Sequence, residues 1–106
     1  MSAGRLFVRE IARRDIALAR DFYRREAGTA TARRFLQAVE SALTTMVEFP
    51  LSGSARYAQV LAQDELRFVR IAGYPYLAFY LERGGVVEVW RVLHAQRDVP
   101  NWLTEA

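Results

Sequence analysis

The clearest element of the sequence lies at residues 32–50, which read ARRFLQAVESALTTMVEFP. Apolar side chains recur there at intervals of three and four residues, as one face of an amphipathic helix requires. The pair Phe49-Pro50 ends the pattern, because proline disfavours helical geometry at the residue before it. The spacing therefore predicts a long helix with one buried face, which carries Ala32, Phe35, Leu36, Val39, Leu43, Met46 and Val47.

A second helix is predicted just before this one. Its apolar stripe begins near Ala12 and ends before Gly28, a residue type that commonly stops helices. The stripe contains Ile16, Ala19, Phe22 and Tyr23. Because the connection between the two helices is so short, we expect them to be antiparallel neighbours in a helical hairpin. The apolar segment 6–8 ahead of the hairpin predicts a first strand.

Three more strands are predicted after the hairpin, at residues 66–71, 76–81 and 86–94. Turns at Gly73-Tyr74-Pro75 and Gly84-Gly85 join them. The middle strand is apolar on both faces, as central strands are. Residues 55–64 fit neither a helix nor a strand pattern. Strict alternation along the last strand places Val87, Val89, Arg91 and Leu93 on one face, and Val86, Glu88, Trp90, Val92 and His94 on the other.

The predicted fold class is α+β. An antiparallel-rich sheet in β-α-α-β-β-β order packs against the N-terminal helical hairpin, and a short C-terminal helix or tail follows with Trp102 and Leu103 able to dock. A length of 106 residues without repeats or linkers predicts a single domain, 1–106. Since the hairpin covers one face of the sheet, we expect the other face to stay partly open.

Composition excludes several classes of protein. No apolar run approaches the roughly 20 residues of a membrane span, and the start of the chain lacks the apolar stretch of a signal peptide. Cysteine is absent and there is one histidine, so we expect no disulfide, no metal and no cofactor, and a cytoplasmic location. All 15 basic residues are Arg, and seven of them lie in residues 1–25 with three acids. That basic segment suits either an anionic partner or solvent.

Residues 91–98, which read RVLHAQRD, hold the strongest candidate for chemistry. Arg91, His94 and Arg97 lie at the end of the last strand, and Arg67 is expected to converge on the same end. A histidine beside several arginines can cut RNA, because the imidazole transfers a proton while guanidinium groups stabilise the strained phosphate. In the other interpretation, His94 bonds to the backbone and Arg97-Asp98 caps the final helix. Spacing leaves both interpretations open.

The motifs of the chain, taken together, resemble the ParE branch of the RelE/ParE toxin superfamily of bacterial type II toxin–antitoxin modules. The resemblance runs from about Phe7 to Leu103. It rests on Ala12-x-x-Asp15-Ile16 with Phe22-Tyr23, Ala32-x-x-Phe35-Leu36 with Phe49-Pro50-x-x-Gly53, Leu66-Arg67, Gly73-Tyr74-Pro75-Tyr76 with Phe79-Tyr80, and Val92-Leu93-His94-x-x-Arg97-Asp98.

This resemblance implies a small toxin that a cognate antitoxin neutralises, in a heterodimer or heterotetramer. It also implies DNA gyrase as the target, inhibited by binding, so that no catalytic residue is expected. By their position, Arg91, Arg97 and Trp102 are predicted to contact the target. The antitoxin is expected on the helical hairpin, at Ile16, Phe22, Tyr23 and Leu36. We expect no membrane binding, and no specific DNA binding without the antitoxin.

Two other functions stay open. The RelE branch of the superfamily cuts mRNA on the ribosome; in that case His94 would transfer the proton, with Arg67, Arg91 and Arg97 holding the phosphate. The chain departs from that branch in having no lysine, no tyrosine after the last strand, and Pro75-Tyr76 where such nucleases often carry an arginine. The third possibility is a degenerate, non-toxic member that only binds its partner.

Overall fold

The order of helices and strands follows the predicted β-α-α-β-β-β pattern. The computed structural model describes residues 4–105, so residues 1–3 and 106 of the predicted domain lie outside the described part. Its elements are β1 (Arg5–Val8), α1 (Glu10–Ala27), α2 (Thr29–Glu48), β2 (Arg67–Arg70), β3 (Tyr76–Arg83), β4 (Val86–His94) and α3 (Val99–Glu105).

A single residue, Gly28, separates the two long helices. Its φ of 92° lies in the left-handed region that glycine enters without steric cost, and its N–H donates to the Arg24 carbonyl oxygen at 3.1 Å. The chain therefore reverses in one step, and α1 and α2 pack against each other as the predicted hairpin.

The four strands form one sheet in the order β1-β4-β3-β2. The pairs β2–β3 and β3–β4 are antiparallel. The pair β1–β4 is parallel, with Arg5 opposite Val86 and Val8 opposite Val89. The sheet is thus mixed but mostly antiparallel, and the predicted fold class is confirmed.

A β-bulge in β4 overturns the prediction of strict alternation along that strand. Phe79 lies opposite Arg91, but its neighbour Tyr80 lies opposite Val89, so Trp90 is an extra residue. An extra residue shifts which side chains point to each face. Val87, Val89 and Val92 consequently pack together on the hairpin side, while Leu93 packs on the other side.

Both faces of the sheet bury apolar side chains. On the hairpin side, α1 and α2 contribute Ala12, Ala19, Phe35, Val39 and Met46 to a core that includes Tyr80. On the second face, the turns at residues 55–63 and α3 cover a smaller core. Its buried members are Leu66, Leu77, Phe79, Leu93 and Val99. The second face is therefore covered at one end, while Phe7 near the other end is 55% exposed.

Candidate functional site

A cleft of about 500 Å³ runs between α1, the outer edge of β4 and α3. It exists because β1 is only four residues long and pairs with Val86–Val89 alone. Beyond Val89 the edge of β4 has no neighbouring strand among the described residues. The residues that line the cleft include Asp15, Leu18, Phe22, Arg25, Arg91, Val92, Arg97, Asp98, Trp102 and Glu105.

Asp15 of α1 occupies the exposed edge of β4 at the centre of this cleft. Its carboxylate accepts hydrogen bonds from Nε and Nη2 of Arg91, at 2.8 and 3.0 Å, and from the N–H of Val92 at 3.0 Å. The two side chains are mostly buried, at 11% exposure for Asp15 and 24% for Arg91. Such a two-point pair fixes the guanidinium plane, so Arg91 has one defined position in the cleft.

Asp98 makes a similar set of contacts, with an arginine and with a backbone N–H of β4 two residues beyond Val92. Its Oδ2 accepts the N–H of His94 at 3.1 Å, and Nε of Arg97 donates to Oδ1 at 3.0 Å. The hydrogen bond from the Arg97 guanidinium lowers the pKa of the Asp98 carboxyl. Arg97 also approaches the Tyr76 hydroxyl, 3.4 Å from its Nη2, but its side chain stays 58% exposed at the mouth of the cleft.

His94 is used by the backbone rather than presented to solvent for chemistry. Its Nδ1 accepts hydrogen bonds from the N–H groups of Gln96 and Arg97, at 3.2 and 3.1 Å, and its ring lies edge-on against Tyr76. Of the two interpretations of this segment, the structure fits the one in which His94 bonds to the backbone. The predicted cap of the final helix differs in one respect: the Asp98 carboxylate accepts a hydrogen bond from the N–H of His94.

The expectation that Arg67 converges on the same end of the sheet is wrong. Arg67 lies opposite Tyr80 and Arg70 opposite Leu77, whereas His94 lies opposite Tyr76. The antiparallel direction of β2 therefore carries Arg67 away from His94. Its Nη1 donates instead to the carbonyl oxygens of Leu51 and Gly53, at 3.1 and 2.9 Å.

The three predicted target contacts, Arg91, Arg97 and Trp102, all line the cleft. Trp102 is half-buried, with its ring edge-on to Phe79 at a centroid distance of 4.7 Å. Arg91 lies on the open edge because β1 pairs only with Val86–Val89, which spacing alone does not foresee.

The four predicted antitoxin contacts divide into two pairs. Ile16 and Tyr23 are half-buried against the core between the hairpin and the sheet. Phe22 and Leu36 are 40% and 37% exposed. Of these four residues, only Phe22 lines the cleft, where it lies together with the three predicted target contacts.

Among the cleft residues that the predictions made on sequence do not assign to a site, Leu18 and Asp15 have the most marked contacts or exposure. Leu18 is 61% exposed and is followed four residues later by Phe22, so helical spacing is a signal that reveals the apolar pair. Asp15 belongs to the motif that carries the family resemblance, but its partners on β4 are 76 and 77 residues away in sequence. No local pattern indicates such a contact.

Residues 4–105 contain neither a metal-binding cluster nor a membrane-spanning helix. No group of three or more His, Asp or Glu side chains is arranged to hold a metal ion within that range. None of the helices described there is long and apolar enough to cross a bilayer.

Comparisons with known proteins agree with the geometry. A family model described as the ParE toxin of the type II toxin–antitoxin system parDE matches residues 6–99. A solved structure described as the chromosomal ParDE TA system from P. aeruginosa superposes with a TM-score of 0.72 at 16% identity, over 86% of this chain and 95% of that one. No curated protein is similar enough in sequence to count as a match. The family match spans nearly the whole chain, and this protein therefore belongs to the ParE toxin family of type II toxin–antitoxin systems.

Proposed function

We propose that the protein inhibits DNA gyrase by binding it through the cleft between α1, β4 and α3, and that an antitoxin segment neutralises it by filling the same cleft. Toxins of this family pair with a ParD antitoxin. The observation that carries the proposal is the meeting of Phe22 with Arg91, Arg97 and Trp102 in one cleft. One occupant of this cleft excludes another, so neutralisation needs no change of conformation.

The contacts of His94 favour inhibition by binding over cleavage of RNA. Because Nδ1 accepts two backbone N–H groups, a neutral ring carries its proton on Nε2 and has no lone pair left for a general base. Arg67 lies opposite Tyr80, in the middle of β3, and its guanidinium donates to the Leu51 and Gly53 carbonyl oxygens. Arg91 is held by Asp15. The set of residues that the nuclease alternative needs is therefore dispersed or already bonded.

Arg97 is the side chain best placed to contact the target. Its side chain is more than half exposed at the mouth of the cleft. The guanidinium has five N–H donors, and Asp98 and Tyr76 accept hydrogen bonds from only some of them. The apolar walls beside it are Leu18, Phe22 and Trp102. An exposed arginine next to aromatic and aliphatic side chains is typical of the centre of a protein interface.

The same walls suit an antitoxin segment. Leu18 and Phe22 expose apolar area four residues apart on α1, which a disordered segment can cover as it folds on binding. Three arginines and three carboxylates also line the cleft. Arg91 and Arg97 are paired with Asp15 and Asp98, whereas no ion pair involves Arg25 among residues 4–105. We infer that the segment combines apolar side chains with acidic ones.

The test measures supercoiling by purified gyrase in the presence of the purified protein. The wild-type chain should inhibit the reaction, and added antitoxin should restore it. The variant Arg97→Ala should inhibit at least about tenfold less well, since loss of a central interface arginine costs roughly 1.4 kcal/mol or more. Arg56→Ala, which removes an exposed arginine outside the cleft, should inhibit like the wild type.

Two results would reject the proposal. One is gyrase activity that stays unchanged at every concentration of the toxin. The other is cleavage of cellular transcripts after induction, mapped at their 5′ ends, that disappears in a His94→Ala variant. The second result would establish the endonuclease function in its place.

A further inference from the structure

The tip of the helical hairpin, residues 20–34, carries a separate concentration of positive charge. It contains five Arg and two acidic residues, a net charge of +3, while the other 91 residues contain ten Arg and ten acids. The whole formal excess of the chain therefore lies at the tip. Tyr23, within this segment, packs against Tyr74 and Tyr76, so the tip lies toward the end of the sheet where β3 begins and β4 ends.

Carboxylates in the protein do not neutralise this charge. Asp21 is shared by Arg20 and Arg24, at 3.1 and 3.2 Å. Within residues 4–105, no carboxylate lies in ion-pair distance of Arg33 or Arg34. Both are exposed, and Arg34 donates only to the Thr31 hydroxyl at 3.0 Å. Two arginines in consecutive positions are thus exposed to solvent without a carboxylate partner among the described residues.

Helix stability does not account for Arg33 and Arg34. They lie in the second turn of α2, near its positive end, and the first turn contains no acidic residue. The dipole of α2 gives cations no stabilisation there, in contrast to Arg24 and Arg25, which lie in the last turn of α1 where cations are favoured. Neither an ion pair nor the helix dipole therefore accounts for this pair among the described residues.

The side chains between the arginines identify the partner. Residues 27–32 are alanine, glycine and threonine only, and no large apolar side chain is exposed from residue 24 to residue 34. Phe22, the exposed aromatic residue of the tip, lines the cleft. The surface from residue 24 to residue 34 lacks the aromatic or aliphatic anchor that protein interfaces usually need. Arginine forks without an anchor suit phosphate oxygens, which they bind bidentately.

We propose that the hairpin tip binds the phosphate backbone of double-stranded DNA without reading its sequence. Arg24, Arg33 and Arg34 contact the phosphates, and small side chains between them allow close approach. None of the residues assigned to the gyrase interface takes part, so DNA binding at the tip is a function additional to gyrase inhibition. A toxin held on DNA by its tip would be concentrated where enzymes that act on DNA are found.

The test compares two double variants that remove the same charge. Arg33→Gln with Arg34→Gln removes the tip pair. Arg5→Gln with Arg83→Gln removes two exposed arginines that both lie opposite Val86, at the other end of the sheet. The full-length chain of each is titrated against a fluorescent duplex of arbitrary sequence, by anisotropy, between about 50 and about 200 mM salt.

The wild-type chain and the Arg5/Arg83 variant should bind with similar salt dependence. The Arg33/Arg34 variant should bind more weakly, and the slope of log affinity against log salt should become shallower by about 1.8, or roughly 0.9 for each phosphate that is no longer neutralised. Equal weakening of both variants would overturn the proposal, since net charge alone would then explain binding. An Arg33/Arg34 variant that no longer binds poly-glutamate but still binds DNA would also overturn the proposal. That result would indicate an acidic protein partner.

Circular dichroism of both variants confirms that they are folded before the comparison is made. The outcome is independent of gyrase inhibition: a tip that does not bind DNA leaves the cleft proposal standing, and a cleft that does not bind gyrase leaves this one standing.

Discussion

The carboxylate of Asp15 satisfies three donors with one side chain. Two belong to the Arg91 guanidinium and the third is the N–H of Val92 on the open edge of β4. An unpaired N–H at a sheet edge is a template for pairing with another strand. Asp15 therefore both positions an arginine of the cleft and closes the edge to unwanted pairing.

Replacing Asp15 with alanine should destabilise the fold by about 2 to 3 kcal/mol, because a mostly buried guanidinium and a backbone N–H lose their acceptor together. Urea unfolding measures the change. Asp21→Ala is the matched control on the same helix: its carboxylate bonds to solvent-accessible arginines, and its loss should destabilise the fold clearly less than that of Asp15. Equal destabilisation of the two variants would contradict this role of Asp15.

Tyr80 anchors the segment that joins α2 to β2. The Tyr80 hydroxyl donates to the Pro50 carbonyl oxygen at 2.9 Å and accepts the Gly53 N–H at 3.0 Å. Burial raises the pKa of this hydroxyl. The motif Phe49-Pro50-x-x-Gly53 thus describes a loop that passes directly over a buried side chain of the central strand.

Gly53 should not tolerate a side chain. A Cβ at this position would lie 2.5 Å from the Tyr80 hydroxyl and 2.9 Å from the Phe68 carbonyl oxygen, so either the loop or the tyrosine must move. We expect Gly53→Ala to cost about 1 to 3 kcal/mol by urea unfolding. Ser52→Ala, one residue away, removes one exposed hydrogen bond, from its hydroxyl to the Phe49 carbonyl oxygen, and should cost no more than about 1 kcal/mol. A larger effect at Ser52 than at Gly53 would contradict the steric explanation.

The elements that the sequence predicts well are those with a local signal. The apolar period of α2 and the turns at Gly28 and Gly84-Gly85 are properties of neighbouring residues, and the structure has the hairpin and the three later strands where they indicate. The bulge at Trp90 has no such signal. It arises in the pairing of β4 with β3, which the residues of β4 alone do not determine, so a strict alternation rule fails there.

The candidate site is predictable only in part for the same reason. Arg91, Arg97 and Trp102 lie close together in sequence, and they meet in the cleft. Arg67 is wrongly expected at the same end because the position of β2 along β3 cannot be read from its residues. Leu18 escapes prediction because its exposure depends on how α1 is rotated against the sheet.

At the scale of the whole molecule, arginine hydrogen bonds lower the pKa of three carboxyls among residues 4–105. Arg20 acts on Asp21, Arg9 on Glu88 and Arg97 on Asp98. A carboxyl whose pKa is lower in the folded state binds protons more readily when unfolded, so it stabilises the fold at pH values above the unfolded pKa of about 4. That contribution disappears as the pH falls through the folded values.

We therefore expect the free energy of unfolding to stay level between about pH 8 and about pH 6 and to fall below about pH 5. Urea titrations across this range measure it. Arg97→Gln should reduce the drop in acid, because Asp98 loses its main partner. Stability that rises on acidification toward pH 4 would show that these pairs do not favour the folded state.

The parallel pairing of β1 with β4 sets the timing of folding during synthesis. Arg5 pairs with Val86, 81 residues later in the chain. At elongation rates of about 5 to 20 residues per second, the first strand waits roughly 4 to 16 seconds for its neighbour to be made. The cleft waits longer still, because α3 forms one of its walls. A nascent chain consequently cannot complete the cleft until α3 has been synthesised.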